Sequence, residues 1–124
     1  GERVPLHCSA PGKIWLANLP DERINEVLKL IKFEAFTPYT IDNAEKLKES
    51  IKQAKELGYA IDNQEYSIDL ISVAAAVKNY RGRVIACISI IAPALRVNDE
   101  KIKELGNNVK IIADKISQSM GYNK

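Results

Sequence analysis

Few residues in this 124-residue chain have the types and spacing for chemistry. His7 and Cys8 are neighbours, and in an extended segment neighbouring side chains point to opposite faces, so they do not form a nucleophile–base pair. His7 is the only histidine, which leaves no partner for a histidine-based metal or acid–base site. Cys8 and Cys87 lie far apart and outside any Cys/His cluster; zinc spacing is absent, and free buried thiols in a reducing cytoplasm are expected. Ser9-Ala10-Pro11-Gly12-Lys13 resembles a phosphate loop only superficially. The first glycine is missing, Ile14 stands where Ser or Thr is needed, and Pro11 lacks an N–H. What survives is a helix N-terminus with free N–H groups that could meet a carboxylate. Asp62, in Tyr59-Ala60-Ile61-Asp62-Asn63, is a turn former by default and a hydrogen-bond acceptor if it faces a cavity. With no nucleophile–base pair and no metal cluster, the chain is not expected to be an enzyme, and neither a cofactor nor a metal is expected.

Positioning these groups requires four helices and a hairpin. Ser9 is expected to cap a helix through Ile14-Trp15-Leu16-Ala17, with Pro11 in its first turn and Pro20 beyond its end. Asp21 is the expected cap of a second helix carrying Ile24, Val27, Leu28 and Ile31 at helical spacing. Phe33 to Tyr39 reads as loop. Asp42 and Glu45 suggest a capping box for a third helix with Ala44, Leu47, Ile51 and Ala54 on one face, ended by Gly58. Tyr59 to Asp62 reads as a short strand. Ile68 to Lys78 and Arg83 to Ala92 read as two strands joined by Asn79-Tyr80-Arg81-Gly82, both central and covered on both faces. Asp69 is out of character inside a strand. Asn98 should cap a last helix burying Ile102, Leu105, Val109, Ile112, Ile116 and Met120. The fold class is α+β, with an antiparallel sheet covered by helices in a single domain.

A turn centred on Tyr80-Arg81 places Ser72 opposite Ser89, Leu70 opposite Ile91 and Ala74 opposite Cys87, all on one face. That face is small and weakly polar, whereas Ile71, Val73, Val77, Val84, Ile88 and Ile90 form a bulky one. Either a ligand cavity or a closely packed helix explains the small face. A three-residue turn would shift the register by one and cancel the Ser72–Ser89 pairing.

Composition excludes other classes. Hydrophobic residues make up 46% and charged residues 27%, and 18 Lys and Arg interleave with 16 Asp and Glu for a net charge of +2. No basic stripe for nucleic acid emerges, the Lys-rich helices reading as solvated faces. The apolar run near Ile85 to Leu95 is too short to span a membrane. Gly1-Glu2-Arg3-Val4 has no initiating Met and no evident fold start, so the sequence is expected to begin inside a longer protein.

Pro5-Leu6-His7-Cys8-Ser9-Ala10-Pro11-Gly12-Lys13, with Leu16-Ala17 and Leu19-Pro20, is similar to the P-L-H-x-S-A-x-G-K-x-x-L-A-x-L-P signature of the effector-binding domain of IclR-type transcription regulators. Phe36-Thr37-Pro38 with Thr40-Ile41 resembles F-T-x-x-T-I, and Gly58-Tyr59-Ala60-Ile61-Asp62-Asn63-Gln64-Glu65 resembles G-Y-A-x-D-x-E-E. Val73 to Val77, Gly82-Arg83-Val84, Ile88-Ser89-Ile90 and Ala92-Pro93 match the region that follows. The resemblance implies a GAF- or profilin-like domain that binds a small-molecule effector, a carboxylate by preference. It also implies dimers or tetramers of the whole protein, and DNA contacted only through a preceding helix-turn-helix domain. The family's domain has further helix and strand before the Pro-Leu-His segment, so this chain is expected to lack its first elements. Carried over, the family pocket falls on Val4, Ser9, Ala10, Pro11, Asp62, Leu70, Ser72, Ser89 and Ile91.

Departures bear on the ligand. The family often has Cys at Ser72, Ser at Ile91 and an N–H donor at Pro11, so the ligand expected is an aromatic or branched carboxylate. Ala76 stands for a common Pro and Asp69 for a common Gly, so the local strand geometry is expected to differ from the family's. The alternative is a GAF-like sensor coupled to another signalling output.

Overall fold

A computed structural model describes residues 5–123 of the chain. Its elements run α1 (Ala10–Ala17), α2 (Asp21–Leu30), α3 (Ala44–Leu57), β1 (Ala60–Asn63), β2 (Leu70–Lys78), β3 (Val84–Pro93), a 3-10 turn (Ala94–Arg96) and α4 (Asp99–Ser119). The fold is α+β, with a three-stranded antiparallel sheet in the order β1-β2-β3.

Local chemistry explains most boundaries. Ser9 caps α1 by accepting from the Gly12 N–H, and Pro11 sits in the first turn. Asn98 caps α4 through the Lys101 N–H, and Gly58 ends α3 in a left-handed conformation at φ 80°. Two expected caps are displaced by one residue. Pro20, which has no side chain able to cap, precedes α2, and Asp21 is its first residue. Asn43, not Asp42, caps α3, while Asp42 pairs with Lys46 at 3.2 Å. Asp69 lies outside the strand, at φ 70°, a region glycine enters freely, and its carbonyl accepts from the Ala94 N–H at 2.7 Å.

The hairpin register differs from expectation by two residues, for two separable reasons. Its loop is the three-residue Tyr80-Arg81-Gly82, with Gly82 at φ 76° and Asn79 bonded to Arg83, which shifts the pairing by one. Ile85 is then an extra residue on β3, since Lys78 faces Val84 but Val77 faces Ala86; this bulge shifts the pairing by one more. Ser72 therefore lies opposite Ile91, Ala74 opposite Ser89, Leu70 opposite Pro93 and Ala76 opposite Cys87. Each one-residue shift exchanges the faces of the strand, so two together restore them. The small face survives, but the Ser72–Ser89 pairing does not.

On the bulky face, Ile71, Val73, Ala75 and Val77 pack against Ile102, Val109 and Ala113 of α4, with Ile88 and Ile90 at the margin. α4 buries Gly106, Val109, Ala113 and Ser117, whereas Ile112, Ile116 and Met120 are substantially exposed, contrary to expectation. Small residues let the helix axis approach the sheet, so they occupy the contact. Gly106 is the extreme case: a Cβ there would stand 2.2 Å from the ring of buried Tyr59. On the small face, Ala10 and Ile14 of α1 pack with Ala54, Ala60 and Ala74, beside Ala76 and Cys87. Behind α1, Leu16, Ile24, Leu28, Leu47 and Ile51 join the first three helices into a separate apolar cluster. The two hairpin strands are not equally covered. β2 is largely buried, but β3 is an edge strand among the described residues, with Ile85, Ser89 and Ile91 exposed.

Candidate functional site

Strand register brings the expected residues into rows. Asp62 on β1 stands opposite Ser72 on β2, which stands opposite Ile91 on β3. The next row is Ala60, Ala74 and Ser89. Side chains of both rows share the α1 face of the sheet, as does Leu70 at the start of β2. α1 covers only the part around Ala74 and Ala76. The rest lies open: Ile91 is 65% exposed and Leu70 41%, Ser89 is exposed and Ser72 half-buried. The site is thus a surface with a buried carboxylate at one end of a row and an exposed isoleucine at the other.

The turn before α1 contributes less than expected. Ser9 is buried and its hydroxyl is engaged twice, accepting from the Gly12 N–H at 3.1 Å and donating to the Pro5 carbonyl. The Lys13 N–H is bonded to the Ser9 carbonyl, and Pro11 has none to give. Ala10 is itself fully buried, so its N–H is closed to an arriving carboxylate. The Ala10 methyl is fully buried in the apolar cluster, and Pro11 is half-buried on the first turn. Val4 lies outside the described residues.

Asp62 is buried, and its Oδ1 accepts from the Glu65 N–H at 2.9 Å, so the expected turn role and an inward-facing carboxylate coexist. Burial pushes its carboxyl up to about 6, helped by the Glu65 charge and opposed by the backbone donors of Glu65 and Tyr66 and by Lys13. Near neutrality it is therefore ready to accept a hydrogen bond and, in mild acid, to give one. Beside it the Cys8 thiol is pushed up to about 12, by burial first and then by Asp62 and Glu65, and is an inert core thiol.

Sequence reasoning missed the group that organises this corner. Lys13, on α1, is buried, and its ammonium donates to both Glu65 carboxylate oxygens at 2.7 and 2.8 Å and to the Ile61 carbonyl at 2.7 Å. One side chain thereby ties α1 to β1 and to the loop after it. The same loop is held from the other side: Thr37 Oγ1 donates to the Gln64 carbonyl and Thr40 Oγ1 to the Glu65 carbonyl, each at 2.6 Å. His7 bonds the Glu34 carbonyl at 2.9 Å through Nε2 and packs edge-on to Phe33, a structural part like that of the Thr37/Thr40 latch. A lysine within the apolar run of α1 was the available signal.

The family model for the bacterial transcriptional regulator IclR C-terminal region matches residues 1–118. The HTH-type transcriptional repressor AllR of Escherichia coli K12 is 34% identical over 121 residues, spanning 98% of this chain and 45% of that protein. The C-terminal domain of the E. coli transcriptional regulator KdgR superposes with a TM-score of 0.89 at 35% identity, over 98% of this chain and 74% of that one. The Agobacterium tumefaciens repressor BlcR superposes with a TM-score of 0.93 at 27% identity, over 100% of this chain and 50% of that one. The chain spans about half the length of the curated relatives it matches. Motifs, fold and relatives agree, and the chain belongs to the IclR family of bacterial transcriptional regulators, as a C-terminal domain.

Proposed function

We propose that this domain senses a small organic acid on the α1-facing side of its hairpin and thereby modulates DNA binding by a longer regulator. The observation that carries the reading is the row Asp62–Ser72–Ile91, in which an acceptor, a hydroxyl and an apolar side chain stand in register on one partly open face. Ser72 and Ser89 would orient the ligand, Asp62 would take a proton from its hydroxyl or from a water, and its carboxylate would approach the Ser9-Ala10-Pro11 turn. Leu70 and Ile91, with Val4, would supply the apolar wall. An aromatic or branched carboxylate suits this surface better than a very small acid, because a donor is lost at Pro11 and a hydroxyl at Ile91. Residues preceding Pro5 in a longer chain would complete the wall over the open face. No catalytic step enters this scheme.

In the regulator the metabolite would favour one arrangement of subunits over another and so shift the population able to grip DNA. The relatives named as HTH-type regulators support a helix-turn-helix outside this segment; the whole regulator would act as a dimer or tetramer in the cytoplasm. Among the described residues no helix is long and apolar enough to cross a membrane.

A thermal-shift screen against aliphatic and aromatic carboxylates, run beside Ser72→Leu, tests the reading. A ligand at a hundred times its Kd adds about 2.7 kcal/mol of stability, or roughly 10 °C for a domain of this size. A shift that vanishes in Ser72→Leu supports the site. Hits that bind Ser72→Leu and Asp62→Ala unchanged would place the ligand elsewhere.

A further inference from the structure

We infer a second binding site, for a compact oxyanion, at the opposite end of α1 and β2 from the Asp62 row. A cavity of about 250 Å³ lies there between α1, α3, β2 and α4. Its floor is made of small residues such as Ala75 and Ala76, and three lysines reach it from three elements: Lys55, Lys78 and Lys110. The opposing carboxylate in its lining is Asp114. Lys55 is also shared with Asp21 at 3.2 Å, so the ammonium groups outnumber the carboxylates even when Asp21 is counted. The Lys78 ammonium lies 5.5 Å from the centre of the Tyr122 ring, and the Lys110 stem crosses α3 at Gly58.

A backbone donor is aimed at the same space. β1 pairs with β2 only as far as Ala74, so the last residues of β2 have an open edge on that side. The Lys78 N–H uses this edge to donate to Ser117 Oγ at 2.8 Å. Ala76, two residues earlier, turns its N–H to the same open side by strand alternation, beyond the last β1 pair, and is among the residues that line the cavity. A pocket lined by small residues and by lysines from three elements, beside an open strand edge, suits a phosphate or carboxylate group. The volume lies below the range for drug-sized ligands and suits a small metabolite. Asp114 and the side-chain carbonyl of Asn18, whose amide nitrogen is engaged by the Ile14 carbonyl, would accept from hydroxyls on its body.

The competing explanation is that these lysines only neutralise the carbonyl ends of α1 and α3, which face the same cavity. Amide NMR titration of the protein with inorganic phosphate and, separately, malonate, at ionic strength held constant with sodium chloride, decides between them. The expected result is a saturable shift centred on Gly58, Ala76, Lys78 and Ser117. It should weaken at least tenfold in Lys78→Gln and Lys110→Gln and be unchanged in Lys115→Gln, on the exposed side of α4. Phosphate binding alone would assign the site to phosphate esters, and equal binding of malonate would assign it to carboxylates as well. Shifts that do not saturate, or an affinity unaltered by both cavity variants while their melting temperatures stay near that of the parent, would overturn the inference.

Discussion

Replacing Lys13 with Met should be among the most damaging single changes available in this domain. The ammonium is 1% exposed and its partner Glu65 only 12%. It makes two charge-assisted hydrogen bonds to the carboxylate and a third to the Ile61 carbonyl. Its removal leaves Glu65 charged and largely buried next to Asp62, which is itself buried. Breaking such a pair from one side costs about 3–5 kcal/mol, a large fraction of the roughly 5–15 kcal/mol that holds a domain together. Much of that cost is the orphaned charge, so Lys13→Met combined with Glu65→Leu should recover most of it. About 1–2 kcal/mol would remain for the unpaired Ile61 carbonyl. Urea unfolding of the four proteins forms a double-mutant cycle, and the coupling between the two positions should be at least about 2 kcal/mol, with an unchanged denaturant slope. Costs that simply add, or a Lys13→Met cost below about 1 kcal/mol, would refute the view of Lys13–Glu65 as the tie between α1 and the β1–β2 loop.

Other expectations rest on single groups. The Asp62 carboxyl sits at about 6 in the folded chain against an ordinary 3.8, so the folded state holds a proton that the unfolded chain releases between pH 4 and 6. Its contribution to stability therefore falls as pH rises through that window, by roughly 2–3 kcal/mol, and is flat above it. Asp62→Asn should lose this slope in urea midpoints measured from pH 4 to 7; parallel curves for the two proteins would contradict the assignment. Gly106→Ala gains about 1 kcal/mol of helix propensity but drives a methyl into the Tyr59 ring, and overpacking should prevail for a net loss of about 1–2 kcal/mol. A stabilised Gly106→Ala variant in thermal melts would show that Tyr59 yields. Cys8, buried and with its thiol pushed up to about 12, should resist iodoacetamide at pH 8 until the protein is unfolded, which mass mapping of the labelled peptide can follow.

What was legible in the sequence was local. Ser9, Gly58 and Asn98 were readable as helix boundaries because a cap is decided within a few residues of itself. The two faces of the hairpin were readable for the same reason, since alternation needs no partner. Register was not, because it depends on a loop length and a bulge, and Ile85 carries no residue-level mark of being extra. The buried stripe of α4 was misread by hydrophobicity. Gly106 and Ser117 are inside because they let the helix come close, while Ile112 and Met120 are outside. Lys13 was passed over because its burial is set by Glu65, 52 residues away, and nothing near it in the chain announces that partner. Of the candidate site, Asp62, Ser72, Ser89, Ile91 and Leu70 share one sheet face. Ser9 and Ala10 are absorbed by the cap and the apolar core, which only long-range packing could reveal.

The paired irregularities of the hairpin make it a parity device. The three-residue loop and the Ile85 bulge each invert which side chains look toward α1, and only their product is neutral. At fixed sequence, a two-residue loop with the bulge kept, or a straightened bulge with the loop kept, would slip the pairing by one, rotating Ser89 and Ile91 into the space against α4 and turning Ile88 and Ile90 outward. Deletion of Ile85 itself has no such effect: Val84 and Ala86 become neighbours that already face opposite sides, so the strand beyond keeps its side chains in place, and the bulge is a residue the hairpin can shed without moving either face.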